Sequence, residues 1–185
     1  MEVKHLTTAE LEAGLDEVRK APTDEGTLDM IVRRPETLER EILEAGELSV
    51  DDGLVGDNWK ARGSGMTDDG KAHPEMQLNI MGSRAIDLIA TSKDRWHLAG
   101  DQLFIDINLG PDNLPPGTQL TLGSAVIEVT AMPHTGCKKF VERYGADAMK
   151  FVNSDEGSAL RTRGINAKVV KGGTIKVGDV VRKKE

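Results

Sequence analysis

The 185-residue chain is poor in cysteine, in aromatic side chains and in long apolar runs. Its one cysteine, Cys137, has no partner for an internal disulfide, and a lone thiol fits a reducing compartment. No apolar run approaches the ~18–20 residues that a membrane-spanning helix needs. Residues 1–20 alternate charges with isolated leucines, and lack the apolar stretch of a secretory signal. A cytoplasmic protein with no membrane partner is therefore expected. Positive charge is also short: 24 Lys and Arg face 31 Asp and Glu, a net charge of −7. Such a chain repels phosphate backbones, and no basic patch is interleaved with aromatics, so no nucleic-acid partner is expected.

Hydrophobic residues make up 38% and charged residues 30%, a globular balance, and with aromatics at only 3% the core must be mostly aliphatic. Twenty glycines imply many tight turns and a strand-rich fold. The length suits one domain spanning residues 1–185.

Local patterning adds detail. Thr7 and Glu10 have the spacing of a capping box, and Leu11, Leu15 and Val18 then recur at helical intervals, predicting a helix over 8–20. Leu28, Met30 and Val32 alternate as on one strand face. Leu38, Ile42 and Leu43 suggest a helical turn or two. Residues 53–72 are glycine-rich and loop-like, a length often tied to function. Strands are expected over 75–81, 103–109, 119–122, 125–131, 166–170, 174–177 and 180–181, with helices after Ser83 and over 138–152. Seven or more short strands without βαβ alternation point to a mainly β fold. An antiparallel barrel with a few short helices is the natural solution, because closure removes exposed edges.

The segment Pro133-His134-Thr135-Gly136-Cys137-Lys138 follows a strong β pattern and opens a helix. Backbone N–H groups converge at a helix start and favour a thiolate, with Lys138 and Lys139 adding positive charge and His134 available for proton exchange. The competing reading is a small buried hydrophobe. His134-x-x-Cys137 also has metal-ligand spacing, but two residues do not close a zinc site, and His73 and His97 are isolated. Arg161 and Arg163 alternate as on a strand and would form an anion fork, against the alternative of a solvated strand face. Gly56-Asp57, Gly100-Asp101 and Gly178-Asp179 read as turns. The common nucleotide, metalloprotease and hydrolase motifs are absent.

Several segments together resemble a known family. Gly53-Leu54-Val55-Gly56-Asp57, Asp106-Ile107-Asn108-Leu109, the run from Leu120 to Thr130, Arg163-Gly164-Ile165-Asn166-Ala167 and the run from Gly173 to Asp179 are similar, in order and spacing around one cysteine, to MOSC domains, the C-terminal domains of molybdenum cofactor sulfurases. The likeness covers residues 53–181. It departs in carrying His-Thr-Gly-Cys where many relatives have an arginine and a Pro-Cys pair.

The resemblance implies a β-barrel and a cysteine, Cys137, that carries sulfur as a persulfide or ligates molybdenum. The implied cofactor is molybdopterin with its metal, and sulfur transfer in cofactor sulfuration is the implied activity. Pyridoxal phosphate would enter only through a partner cysteine desulfurase, and a molybdoenzyme is the other implied partner; the chain itself is expected to be a free-standing domain. The alternative is a non-catalytic binding module for an anionic, pterin-like small ligand. On either reading Cys137, His134, Asn108 and Arg163 are expected to converge on one pocket, with Lys138 or Arg161 at its rim.

Overall fold

The computed structural model describes residues 3–185. The chain opens with helices α1 (Thr8–Ala13) and α2 (Leu15–Arg19). The capping box at Thr7 and Glu10 is formed, and Gly14 breaks the expected single helix in two. The strands follow as β1 (Glu25–Arg33), β2 (Glu41–Leu43), β3 (Ala45–Ser49), β4 (Gly53–Leu54), β5 (Leu78–Gly82), β6 (Leu103–Asp106), β7 (Gln119–Leu122), β8 (Ala125–Val129), β9 (Ile165–Lys171), β10 (Gly173–Lys176) and β11 (Val180–Lys183). Between them lie helices α3 (Trp59–Arg62), α4 (Ser83–Ala90), α5 (Lys138–Tyr144), α6 (Ala146–Asn153) and α7 (Asp155–Ala159).

Strands run in the order β11-β7-β8-β9-β5-β6-β1, and β11 pairs back onto β1, closing a barrel. The pairings are antiparallel except β5 with β6. The fold is therefore the mainly β barrel with short helices that the strand pattern implies. A small sheet, β10-β3-β4, contributes Leu48, Leu54 and Ile175 to the same apolar cluster as the barrel interior.

Side-chain alternation divides the apolar residues in two. Leu78, Ile80, Leu103, Ile105, Leu120, Ile127 and Val169 fill the inside, with no aromatic residue among them. A narrow barrel interior is well filled by branched aliphatics. Met81 and Phe104 point outward and pack with Trp96, Phe140, Tyr144 and Phe151 beneath the helices. Apart from Trp59 on α3, the few aromatics thus serve the helix–barrel interface.

Three local expectations fail for definable reasons. Leu28 does not share a face with Met30 and Val32, because a register shift between Leu28 and Met30 flips the alternation. Leu28 and Ile31 therefore face inward, and Met30 and Val32 outward. The helical turn expected near residue 40 is strand β2, whose three residues pair with the end of β1. Arg161 and Arg163 do not lie on a strand: they sit in the turn between α7 and β9, with Arg161 in the left-handed region at φ 47°. Among the described residues, no helix is long and apolar enough to cross a membrane.

Candidate functional site

The segment after β8 descends through Met132 and Pro133 to His134, and Cys137 then caps α5. Asn166, on β9, fixes this descent, because its amide donates to the carbonyls of Met132 and Pro133 at 3.1 and 3.2 Å. Its own oxygen accepts from Asn79 at 2.6 Å. Gly136 packs its backbone against Met149, and a Cβ there would stand 2.5 Å from the thioether sulfur. Cys137 is exposed, so the reading as a buried hydrophobe does not hold.

His134 is 10% exposed at its side chain and meets a fully buried carboxylate, Asp101, at 2.6 Å through Nε2. Arg163 holds the other oxygen of Asp101 at 2.8 Å and also donates to the carbonyl of Ala99. Burial alone would raise the Asp101 carboxyl, but the charge of Arg163 and the hydrogen bonds from His134 and Arg163 hold it below the ordinary range. Burial, reinforced by Arg163, pushes the imidazole below its ordinary value. The consistent arrangement is an ionised Asp101 receiving protons from both Arg163 and Nε2 of a neutral His134. Nδ1 then remains as the lone-pair nitrogen. Gly164 permits this approach: at φ +117° its Cβ position lies 2.1 Å from the carbonyl of Ile80 and 2.9 Å from the His134 ring.

This arrangement has a pH consequence. The unfolded chain protonates His134 near 6.5, whereas the folded chain does so only at lower pH. Stability should therefore fall as pH drops below about 6.5, by at most ~1.4 kcal/mol per pH unit for one proton. Asp101 acts in the same direction below its ordinary 3.8. His134→Gln should flatten the upper part of this acid limb in urea unfolding. A residual slope from His97, which burial also pushes down, should remain.

A second buried ion pair lies beside the first. Arg34, just beyond β1, grips Asp57 with Nε at 2.9 Å and Nη2 at 2.7 Å. Asp57 also accepts from the backbone N–H groups of Arg34 and Trp59 and from Gln102. Arg34 continues to Asn79 and to the carbonyl of Gly100, both at 3.0 Å.

Above these pairs opens a cavity of about 690 Å³. Its walls carry Arg34, Arg40, Arg62, Lys138, Lys139, Arg143 and Arg163, with Glu36 as the sole acidic residue, and Cys137 and His134 on the same lining. Arg40 and Arg143 both close over Gly100. Burial, and then repulsion from neighbouring arginines, lower the guanidinium pKa of Arg40 and of Arg62. Arg40 Nε and Asn58 Oδ1 are buried in this lining without a hydrogen-bond partner.

The structure thus brings together Cys137, His134, Lys138 and Arg163. It does not bring Asn108 or Arg161 to this cavity. Asn108 lies beyond the end of β6, caps Gly110 N–H at 2.8 Å and lines a separate small recess. Arg161 donates to the carbonyls of Leu109 and Leu114.

A family model, the MOSC domain, matches residues 68–182. The chain belongs to the MOSC domain family. No curated protein matches it in sequence. In structure this MOSC domain is similar to the YuaD protein from Bacillus subtilis, at 13% identity and a TM-score of 0.60, covering 87% of this chain and 97% of that one. A hypothetical protein aligns at 15% identity and a TM-score of 0.61, covering 90% and 70%. YiiM from Escherichia coli aligns at 15% identity and a TM-score of 0.55, covering 86% and 70%. At these identities the likeness concerns the fold alone. Membership nevertheless makes this a molybdenum cofactor-related domain.

Arg34, Asp57, Asn79 and Asp101 were not singled out as site residues by sequence reasoning, nor were Arg40, Arg62 and Arg143. Two of them, Asp57 and Asp101, stand in Gly-Asp pairs whose glycines do make turns, at φ +87° in each case.

Proposed function

We propose that the cavity binds the molybdenum cofactor, or a closely similar anionic pterin, with Cys137 as the residue that touches its reactive end. The observation that carries this reading is the charge of the lining: Arg34 and Arg163 are paired with the buried Asp57 and Asp101, which leaves five further basic side chains against Glu36, in a chain of net charge −7. Cations gathered at a cost in mutual repulsion imply an anion that relieves it. An exposed thiol at the cavity wall suits a soft metal ligand.

In this reading Arg40, Arg62 and Arg143 hold the anionic end, and Lys138 neutralises the rim. The thiolate of Cys137 ligates the metal or carries sulfur as a persulfide. When bound, the cofactor supplies a redox-active molybdenum centre. His134, held by Asp101 through Nε2, offers Nδ1 to accept or return a proton. Pyridoxal phosphate belongs to a partner desulfurase, and a molybdoenzyme is the acceptor in the sulfur-carrier form of the proposal.

Cys137 should be alkylated by iodoacetamide in the folded protein, and molybdopterin should slow the reaction. An unaltered alkylation rate at saturating molybdopterin would separate the thiol from the ligand. Full retention of molybdopterin by Cys137→Ala, with no persulfide on the native thiol, would favour the non-catalytic binding module instead.

A further inference from the structure

The cations account for only part of the large cavity's lining. Leu38, Met66, Met76 and Met132 stand on the same walls. Seven large apolar side chains are exposed among the described residues, and the two most exposed, Leu38 and Met66 at 63% each, both belong to this lining. Apolar residues scattered singly over a surface are ordinary, but two gathered in one concavity with two further methionines form a patch.

Contacts between segments assemble that patch. Met76 ends a short helical turn, Pro74–Met76, and Met132 follows β8. Thr130 joins the two segments by donating its hydroxyl to the carbonyl of Glu75 at 2.6 Å. Met66 lies on the loop between α3 and that turn. Arg40 and Arg143 instead close over Gly100, where Arg143 is tied to the carbonyl of Leu98. Leu38 holds a left-handed backbone at φ 71°, rare for a bulky residue, and such strain clusters at active sites and ligand clamps. Methionine adapts its shape, and its thioether makes favourable contacts with aromatic rings, so a wall of this kind accepts flat organic groups of varied outline.

We infer that the cavity has a second, apolar subsite, in which Leu38, Met66, Met76 and Met132 receive the aromatic or hydrocarbon body of an organic substrate beside the cations. The inference rests on the reading of the cavity as a small-molecule site, and not on which anion the arginines hold. Met132 precedes Cys137 on the same descending segment, and both line the cavity, so a substrate seated here shares it with the thiol.

The test compares two sulfonates with the same head group, naphthalenesulfonate and methanesulfonate, by titration of the intact protein isotope-labelled at its methionine methyl groups. The naphthalene compound should bind at least about tenfold more tightly. Its ring should shift the NMR signals of Met66, Met76 and Met132, but not those of Met30 and Met81, which are buried beneath the helices. Leu38→Ser/Met66→Ser changes two exposed residues and is compatible with the fold. It should bring the naphthalenesulfonate affinity down towards that of methanesulfonate, whose own affinity stays as it was. Equal affinity for the two sulfonates, an unchanged advantage in Leu38→Ser/Met66→Ser, or ring shifts at none of the three methionines would overturn the inference. Arg40→Gln/Arg62→Gln checks the cationic reading separately, and should weaken both sulfonates by the same factor. If it weakens neither, the anion site fails, while the ratio between the two probes still decides for or against the apolar subsite.

Discussion

Asp57→Ala is expected to lower the unfolding free energy by about 3–5 kcal/mol, because it strands a buried cation. The Arg34 and Asp57 side chains are 6% and 0% exposed, and the two make a bidentate contact at 2.7 and 2.9 Å. Removing the carboxylate leaves the Arg34 guanidinium, the N–H groups of Arg34 and Trp59, and the amide of Gln102 short of an acceptor at once. Urea unfolding at neutral pH measures the loss. A change below about 1 kcal/mol, the range of an exposed ion pair, would show that water reaches the pair. The loss is structural in origin but reaches the site, since Arg34 also holds Asn79, and Asn79 holds the Asn166 that fixes the descent to His134.

Arg40→Gln/Arg62→Gln should behave in the opposite way. Arg40 is partly buried and Arg62 exposed on the cavity wall, both among other cations and without a carboxylate partner. Their removal relieves repulsion, so the unliganded protein should be as stable as wild type or slightly more so. Affinity for molybdopterin should fall on the order of 100-fold or more, as two charge-assisted hydrogen bonds of about 1.5–3 kcal/mol each are lost. Isothermal titration and thermal melting together separate the two effects. Unchanged affinity would remove these arginines from the binding surface, and a large loss of stability would make them structural.

Much of the scaffold is legible in the residues because it depends on short-range patterns. The capping box at Thr7 and Glu10, the alternation of Leu103 and Ile105, and the Gly123-Ser124 turn between β7 and β8 need only neighbours a few positions apart. The misplaced elements depend on remote contacts. The bulge in β1 is imposed by pairing with β6, and β2 is a strand because β1 lies beside it.

The same distinction governs the site. Cys137, His134, Lys138 and Arg163 are visible because they fall in compact segments. Asp57 and Asp101 are not, because a Gly-Asp pair signals a turn whether or not its carboxylate is turned inward. The carboxylate of Asp179, in the third such pair, accepts from the nearby backbone N–H of Lys176, and there the turn reading describes the side chain's role. The difference lies in the arginines that meet Asp57 and Asp101, one 23 residues before the first and one 62 after the second. The cavity's charge is hidden for the same reason: its cations are spread from Arg34 to Arg163 through an acidic chain, and only the barrel gathers them.

The most direct test of the proposed role is metal and pterin analysis of the protein purified from its own host, beside Cys137→Ser prepared identically. The account predicts molybdenum and pterin in near-stoichiometric amounts in the native protein. In Cys137→Ser the molybdenum should be lost, while the fold and the pterin-binding cations remain. Native protein that is folded but carries neither molybdenum nor pterin, or equal molybdenum in both proteins, would contradict it.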